Sequence, residues 1–114
     1  MTTLGSTADI AIELLERTVN RAALAGKVLG LVGYGALGRE IAWRAVGRGM
    51  EVLYTDLEPG AGPHRRVVLS DLLERSDFVM PITDGAAATE LRPRLKPGAC
   101  LIDYWAHVRK LALV

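Results

Sequence analysis

Cysteine occurs once in this chain, at Cys100, which excludes an internal disulfide and a cysteine-based zinc site. Within its apolar run that residue reads as a small buried hydrophobe. No apolar stretch approaches the roughly 20 residues that span a bilayer. The opening Met1-Thr2-Thr3-Leu4-Gly5-Ser6 has neither the charged nor the apolar region of a secretory leader, so the expected setting is cytoplasmic. An excess of charge is also missing. A formal net charge of +1 gives no long-range pull toward nucleic acid or an anionic membrane, and neither is expected as a partner. Arg39, Arg44 and Arg48 are spread along one predicted helix and read as a solvated face. His64 lies in a glycine- and proline-bounded loop and carries no signal, and no metal site is expected.

What remains is ample for a core. Half of the 114 residues are hydrophobic and 24% are charged, a balance that predicts one folded domain. Ser6 or Thr7 is placed to cap a first helix with Asp9 in its first turn, and Ala8, Ile12, Leu15, Val19 and Ala22 repeat at helical spacing up to Gly26. The apolar face of that helix is wide enough to cover more than its own core. Lys27 to Val32 is a short, nearly continuous apolar run, as in a parallel strand buried on both faces. A helix through Leu37, Ile41, Ala42, Ala45 and Val46 follows, then a second strand, Glu51 to Thr55. Beyond a loop from Leu57 to Arg65 come a short strand at Arg66-Val67-Val68 and a brief helix, Asp71 to Arg75, capped by Ser70. A fourth strand, Asp77 to Met80, is stopped by Pro81; helix is favoured from Ala86 to Leu91, and a fifth strand runs from Ala99 to Asp103. Strands alternating with helices predict an α/β fold: a Rossmann-type doubly wound parallel sheet of about five strands, preceded by an N-terminal helix. Residues 1–25 are expected to form the helix and 26–114 the sheet domain, one compact unit with no separate substrate domain.

Between the first strand and its helix lies Gly33-Tyr34-Gly35-Ala36-Leu37-Gly38. Two linked phosphates are well held by unpaired backbone N–H groups at a helix N-terminus, provided no Cβ stands in the way. Gly33 allows the tight turn out of the strand, Gly35 lets backbone approach a pyrophosphate, and Gly38 lets the helix pack on the sheet. Ala36 and Leu37 supply first-turn amides. The next strand ends in Asp56, eighteen residues after Gly38, where a carboxylate can accept hydrogen bonds from ribose hydroxyls and repel a 2′-phosphate. A glycine loop with a strand-end acid also serves S-adenosylmethionine, but the full six-residue spacing favours a dinucleotide. Arg65 and Arg66 lie near enough to keep NADP in view; Asp56 favours NAD.

The segments Leu24 to Ala42, Gly49 to Asp56, Leu69 to Val79 and Lys96 to Asp103 together resemble the nucleotide-binding domain of the D-2-hydroxyacid dehydrogenases. The resemblance implies NAD as cofactor, with Gly33, Tyr34, Gly35, Ala36, Leu37 and Gly38 around the pyrophosphate and Asp56 at the ribose. It further implies Pro81 and Thr83 on the adenosine side and Tyr104 near the nicotinamide. Ser6 to Leu15 is similar to a helix that helps form the family's dimer, so a homodimer through this helix is expected. The family's activity is hydride transfer between the cofactor and a 2-hydroxy or 2-keto acid.

Three features depart from that pattern. The family places a substrate-clamping arginine three residues after its strand-end asparagine, whereas Asp103-Tyr104-Trp105-Ala106 puts an alanine there. Alanine offers no fork of donors to a carboxylate. The family's histidine and glutamate fall beyond Val114, and the stretch from Asp77 to Lys96 is shorter than usual. His107 reads as an incidental surface residue, Arg109 as a poor replacement on an unsupported tail, and Trp105 as a packing or interface residue. No catalytic residue is assigned. Two further readings stand beside an incomplete dehydrogenase: a non-catalytic NAD-binding or dimerisation module, and a truncated gene product. A small acid substrate would need another chain to complete its site.

Overall fold

Side chains along a strand alternate between the two faces of a sheet, and in this chain both faces are apolar. A computed structural model describes residues 4–19, 21–56, 65–82 and 87–112. Its strands are β1 (Val28–Val32), β2 (Glu51–Thr55), β3 (Arg65–Arg66), β4 (Phe78–Pro81) and β5 (Cys100–Leu101). All pair in parallel, in the order β3-β2-β1-β4-β5. The helices are α1 (Leu4–Thr18), α2 (Gly35–Val46), α3 (Leu69–Arg75), α4 (Ala87–Leu91) and α5 (Tyr104–Ala112), with 3-10 turns at Arg21–Leu24 and Arg92–Arg94.

Leu29, Leu31, Val52, Tyr54, Phe78 and Met80 face one side of the sheet. There they join Ala8, Ala11, Ile12 and Leu15 of α1, Ile41, Ala42 and Ala45 of α2, and Tyr104 of α5 in one buried cluster. On the other side Val79 packs with Leu72 and Leu73 of α3 and Leu91 of α4. The sheet is therefore doubly wound, as its sequence pattern predicts. Strands β1 to β3 progress one way and the chain then crosses to β4 on the far side of β1. That reversal puts a crevice between the C-terminal ends of β1 and β4, where open α/β sheets bind ligands.

Several local expectations change. Helix α1 begins at Leu4, so Ser6 and Thr7 lie inside it and not at its N-cap position. Helix α3 begins at Leu69, with Val68 in an extended conformation as its cap residue and no side-chain cap bond; Ser70 is already in the first turn. Strand β3 is displaced one residue toward the N-terminus and holds only two residues, and β5 is likewise short. Pro81 is the last residue of β4, opposite Val32, where a missing N–H costs little. Arg44 and Arg48 do not form a solvated face. Arg44 Nε meets Asp9 Oδ1 at 2.7 Å while its Nη1 meets Glu40 Oε2 at 2.8 Å, and Arg48 Nε meets Glu16 Oε1 at 3.1 Å. The bonds from Asp9 first, then Glu40, raise the Arg44 pKa further above its already high value. Two arginines thus tie α1 across α2. The stretch around Arg109 is helical.

Candidate dinucleotide site

The glycine loop turns as its spacing requires. Gly33 has φ +103° and Gly35 φ +56°, left-handed values that favour glycine. Tyr34 between them precedes α2 and provides no side-chain cap. The first intrahelical bond runs from Gly38 N–H to the Tyr34 carbonyl at 2.7 Å, leaving the amides of Gly35, Ala36 and Leu37 at the positive end of a twelve-residue helix. A Cβ built on Gly35 would meet nothing within 4 Å, so the protein's own packing does not demand glycine there. A Cβ on Gly38 would come within 3.0 Å of Ile82 Cδ1 and 3.3 Å of the Tyr34 ring. One glycine leaves room outside the protein, and the other lets α2 sit close to the sheet.

Asp56 follows β2, and its Oδ2 accepts the Tyr34 N–H at 2.8 Å. This bond joins the acid to the glycine loop across 22 residues of sequence. Gly33 N–H donates to the Thr55 carbonyl at 2.8 Å, a second tie between the same segments. Beneath them the buried Tyr34 ring stacks on Tyr54 with centroids 4.1 Å apart. Burial, then the neighbouring Tyr54, raises the Tyr34 hydroxyl pKa. Tyr34 therefore gives the loop a rigid floor.

A hollow of about 390 Å³ opens beside Asp56, walled by Thr55, Asp56, Arg66, Val67, Val68 and Leu69. Val68 is 63% exposed, an apolar surface at its edge. The sequence marked Asp56 and Arg66 but not Val67, Val68 and Leu69, which join the hollow from the residues between a two-residue strand and the start of α3. The adenosine half of a dinucleotide fits what is here: an apolar side, a carboxylate, and uncapped amides at the head of α2. Pro81 is buried at the end of β4, near the crevice. Thr83 lies outside the described residues. Tyr104 is 2% exposed and packs in the core, edge-on to Trp105 with centroids 5.1 Å apart. Its burial raises the hydroxyl pKa. In this fold the ring expected at the nicotinamide is closed into the interior.

Past β5 a second hollow, about 250 Å³, is lined by Leu14, Thr18, Leu101, Ile102, Asp103, Ala106 and His107. Asp103 Oδ1 accepts the Ala106 N–H at 3.1 Å, a side-chain cap on α5. In the sequence Asp103 reads as a strand end, which conceals this cap; the signal that could have found it is an aspartate preceding a stretch in which Tyr104, Trp105 and Val108 share one helical face. The arginine position of the family's pattern is thus the small side chain of Ala106, in the first turn of a capped helix.

The model of the D-isomer specific 2-hydroxyacid dehydrogenase NAD binding domain matches residues 12–103. The chain belongs to that family. It is 38% identical over 86 residues to the glycerate dehydrogenase of Methylorubrum extorquens, covering 70% of this chain and 26% of that protein. With D-3-phosphoglycerate dehydrogenase 1 of Saccharomyces cerevisiae it shares 34% identity over 109 residues, covering 83% and 23%. The chain therefore spans about a quarter of the length of the curated relatives it matches. The crystal structure of the TT0316 protein from Thermus thermophilus superposes with a TM-score of 0.72 at 30% identity, over 95% of this chain and 47% of that one. The family resemblance drawn from the glycine loop holds, and with it NAD(H) as the cofactor. No described helix is long and apolar enough to cross a membrane.

Proposed function

We propose that this chain binds NAD(H) as the cofactor-holding part of a 2-hydroxyacid dehydrogenase unit and does not reduce 2-keto acids by itself. The observation that carries the binding half is the bond from Tyr34 N–H to Asp56 Oδ2, which holds the strand-end acid beside the uncapped amides of α2. In this reading the amides of Gly35, Ala36 and Leu37 take the pyrophosphate, with Gly33 and Gly38 shaping the turn and Tyr34 flooring it. Asp56 takes the adenosine ribose, and Pro81 and Thr83 border the adenosine side. NAD, when bound, supplies a nicotinamide carbon that carries hydride, and placement is the protein's contribution.

Ala106 supports the second half of the proposal. A keto acid needs its carboxylate clamped and its carbonyl polarised, and Ala106 brings no charge to that point. His107 lines the nearby hollow, but a lone imidazole lacks the paired donors of a guanidinium. Titrating the purified chain with NADH by fluorescence tests the reading. Saturable binding with no turnover of glyoxylate or pyruvate is expected; turnover would contradict it, as would failure to bind.

The same proposal takes the chain to work in the cytoplasm and to pair with a second copy through α1, where Ile10 and Leu14, with Val19 just beyond the helix, are only partly buried. Light scattering at tens of micromolar should then report a dimer, and a clean monomer would remove that part.

A further inference from the structure

On the face of the sheet opposite α2, a third hollow of about 360 Å³ is lined by Ser70, Leu73, Glu74, Arg94 and Lys96. It shares no wall with the hollow beside Asp56. One side is α3; the other is the 3-10 turn Arg92–Arg94 and the two residues after it. Its floor is Leu73, 4% exposed and packed with Leu72, Val79 and Leu91. Lys96 is already committed, its Nζ meeting Asp77 Oδ1 at 3.1 Å and donating to the Arg75 carbonyl at 3.3 Å. Glu74 and Arg94 are not. No ion pair joins them across the hollow, and among the described residues neither has another charged partner. Elsewhere on this surface, opposite charges within reach do pair, as Arg17 with Glu13 at 2.8 Å and Arg75 with Glu51 at 3.4 Å.

We propose that this hollow binds a small zwitterion, an α-amino acid with a short apolar side chain, independently of the dinucleotide. Two opposite charges stand on opposite walls over an apolar floor. A plain anion entering there meets Glu74, and a plain cation meets Arg94 and Lys96. A ligand that carries both charges pairs with each wall at once. Its carboxylate takes the planar fork of Arg94, which suits two oxygens, and its ammonium takes Glu74. The Ser70 hydroxyl can donate to the one or accept from the other. The side chain of the ligand then lies on Leu73. Glu74 and Arg94 are both exposed, so water screens each pair and the affinity is on the order of millimolar.

The test is an amide NMR titration of the isotope-labelled full chain with L-valine. Two controls, isobutylamine and isovalerate, keep the apolar group and one charge each. Valine should shift the amides of Ser70, Leu73, Glu74, Arg94 and Lys96, approaching saturation by about 20 mM, and leave those of Gly33 to Gly38 in place. Either control should bind about 3-fold or more weakly, the scale of one exposed ion pair. Arg94→Gln and Glu74→Gln should each weaken valine by the same factor, and their unfolding midpoints should match wild type because both side chains are exposed. Exchanging the two charges, Glu74→Arg with Arg94→Glu, should recover part of the loss, since the ligand can bind reversed; a merely structural role would not allow that. Absence of a saturable shift with valine overturns the proposal. So does a control that binds as well as valine, or an affinity for valine unchanged in either single variant.

Discussion

Two aspartates stand just past strands at the same end of this sheet, and their surroundings give them different roles. Asp56, after β2, accepts an N–H from a loop 22 residues away and borders a hollow of about 390 Å³. Asp103, after β5, accepts an N–H three residues ahead and caps its own helix. The first bond is long-range and aims the glycine loop; the second is local and starts α5. A strand-end acid is therefore no functional sign by itself. The amide it holds, and whether uncapped backbone lies beside it, decide what it can do.

Both acids depend on one frame, and breaking that frame gives the largest expected effect. Gly30 lies mid-strand in β1, where an added Cβ would collide with Ser76 Oγ and come within 2.6 Å of Leu72 Cδ2 and 2.8 Å of its Cγ. Leu72 and Ser76 are completely buried, so α3 must shift as a body. Gly30→Ala should cost about 3 kcal/mol, the upper range for overpacking, measured by denaturant unfolding. A loss below about 0.5 kcal/mol would mean the α3 face is loosely packed.

A third aspartate, at the opposite end of the strands, just before β4, extends the contrast. Asp77 Oδ2 accepts the Val28 N–H at 2.9 Å and its Oδ1 meets Lys96 Nζ at 3.1 Å, while its own backbone links β1 and β5. The Val28 bond chiefly lowers its pKa, burial opposes, and Lys96 adds to the lowering. The folded chain thus holds this proton less tightly than the unfolded chain. The stabilisation is complete above the ordinary carboxylate value and drains away as pH falls below about 4. Asp77→Asn should cost about 1–2 kcal/mol at pH 7 and less at pH 3, because the wild type has by then lost part of the same interaction. An identical cost at both values would show that charge plays no part.

Next in size is the cap itself. Asp103→Ala should lower stability by about 1 kcal/mol and shift nothing else, since the bond it removes lies within one helical turn. If NADH affinity fell with it, the hollow at β5 would belong to the cofactor site and the contrast between the two acids would fail.

The strand–loop–helix unit from Val28 to Asp56 was legible in the sequence because its signals are local: an apolar run, glycines at fixed spacing, an acid at a strand end. The family resemblance rested on these residues together with Leu69 to Val79 and Lys96 to Asp103. What the sequence concealed was long-range. Arg44 and Arg48 looked like a solvated face because their partners, Asp9 and Glu16, sit on a helix distant in sequence. Val67, Val68 and Leu69 come beside Asp56 only once a two-residue strand is docked on β2. Helix α5 was missed for a different reason. Asp103 was read as the end of a strand, yet its side chain caps the helix that follows. Ser6, Thr7 and Ser70 illustrate the reverse error, hydroxyls suited to capping that the helices extend beyond.

The central claim is that Asp56 recognises the cofactor while Asp103 only supports the fold. NADH titrated side by side into wild type, Asp56→Ala and Asp103→Ala tests it most directly, with melting of each variant followed in parallel. Asp56→Ala should bind about 10-fold or more weakly, as expected for lost hydrogen bonds to a charged group, and Asp103→Ala should bind like wild type. Equal affinity in Asp56→Ala and wild type would contradict the account.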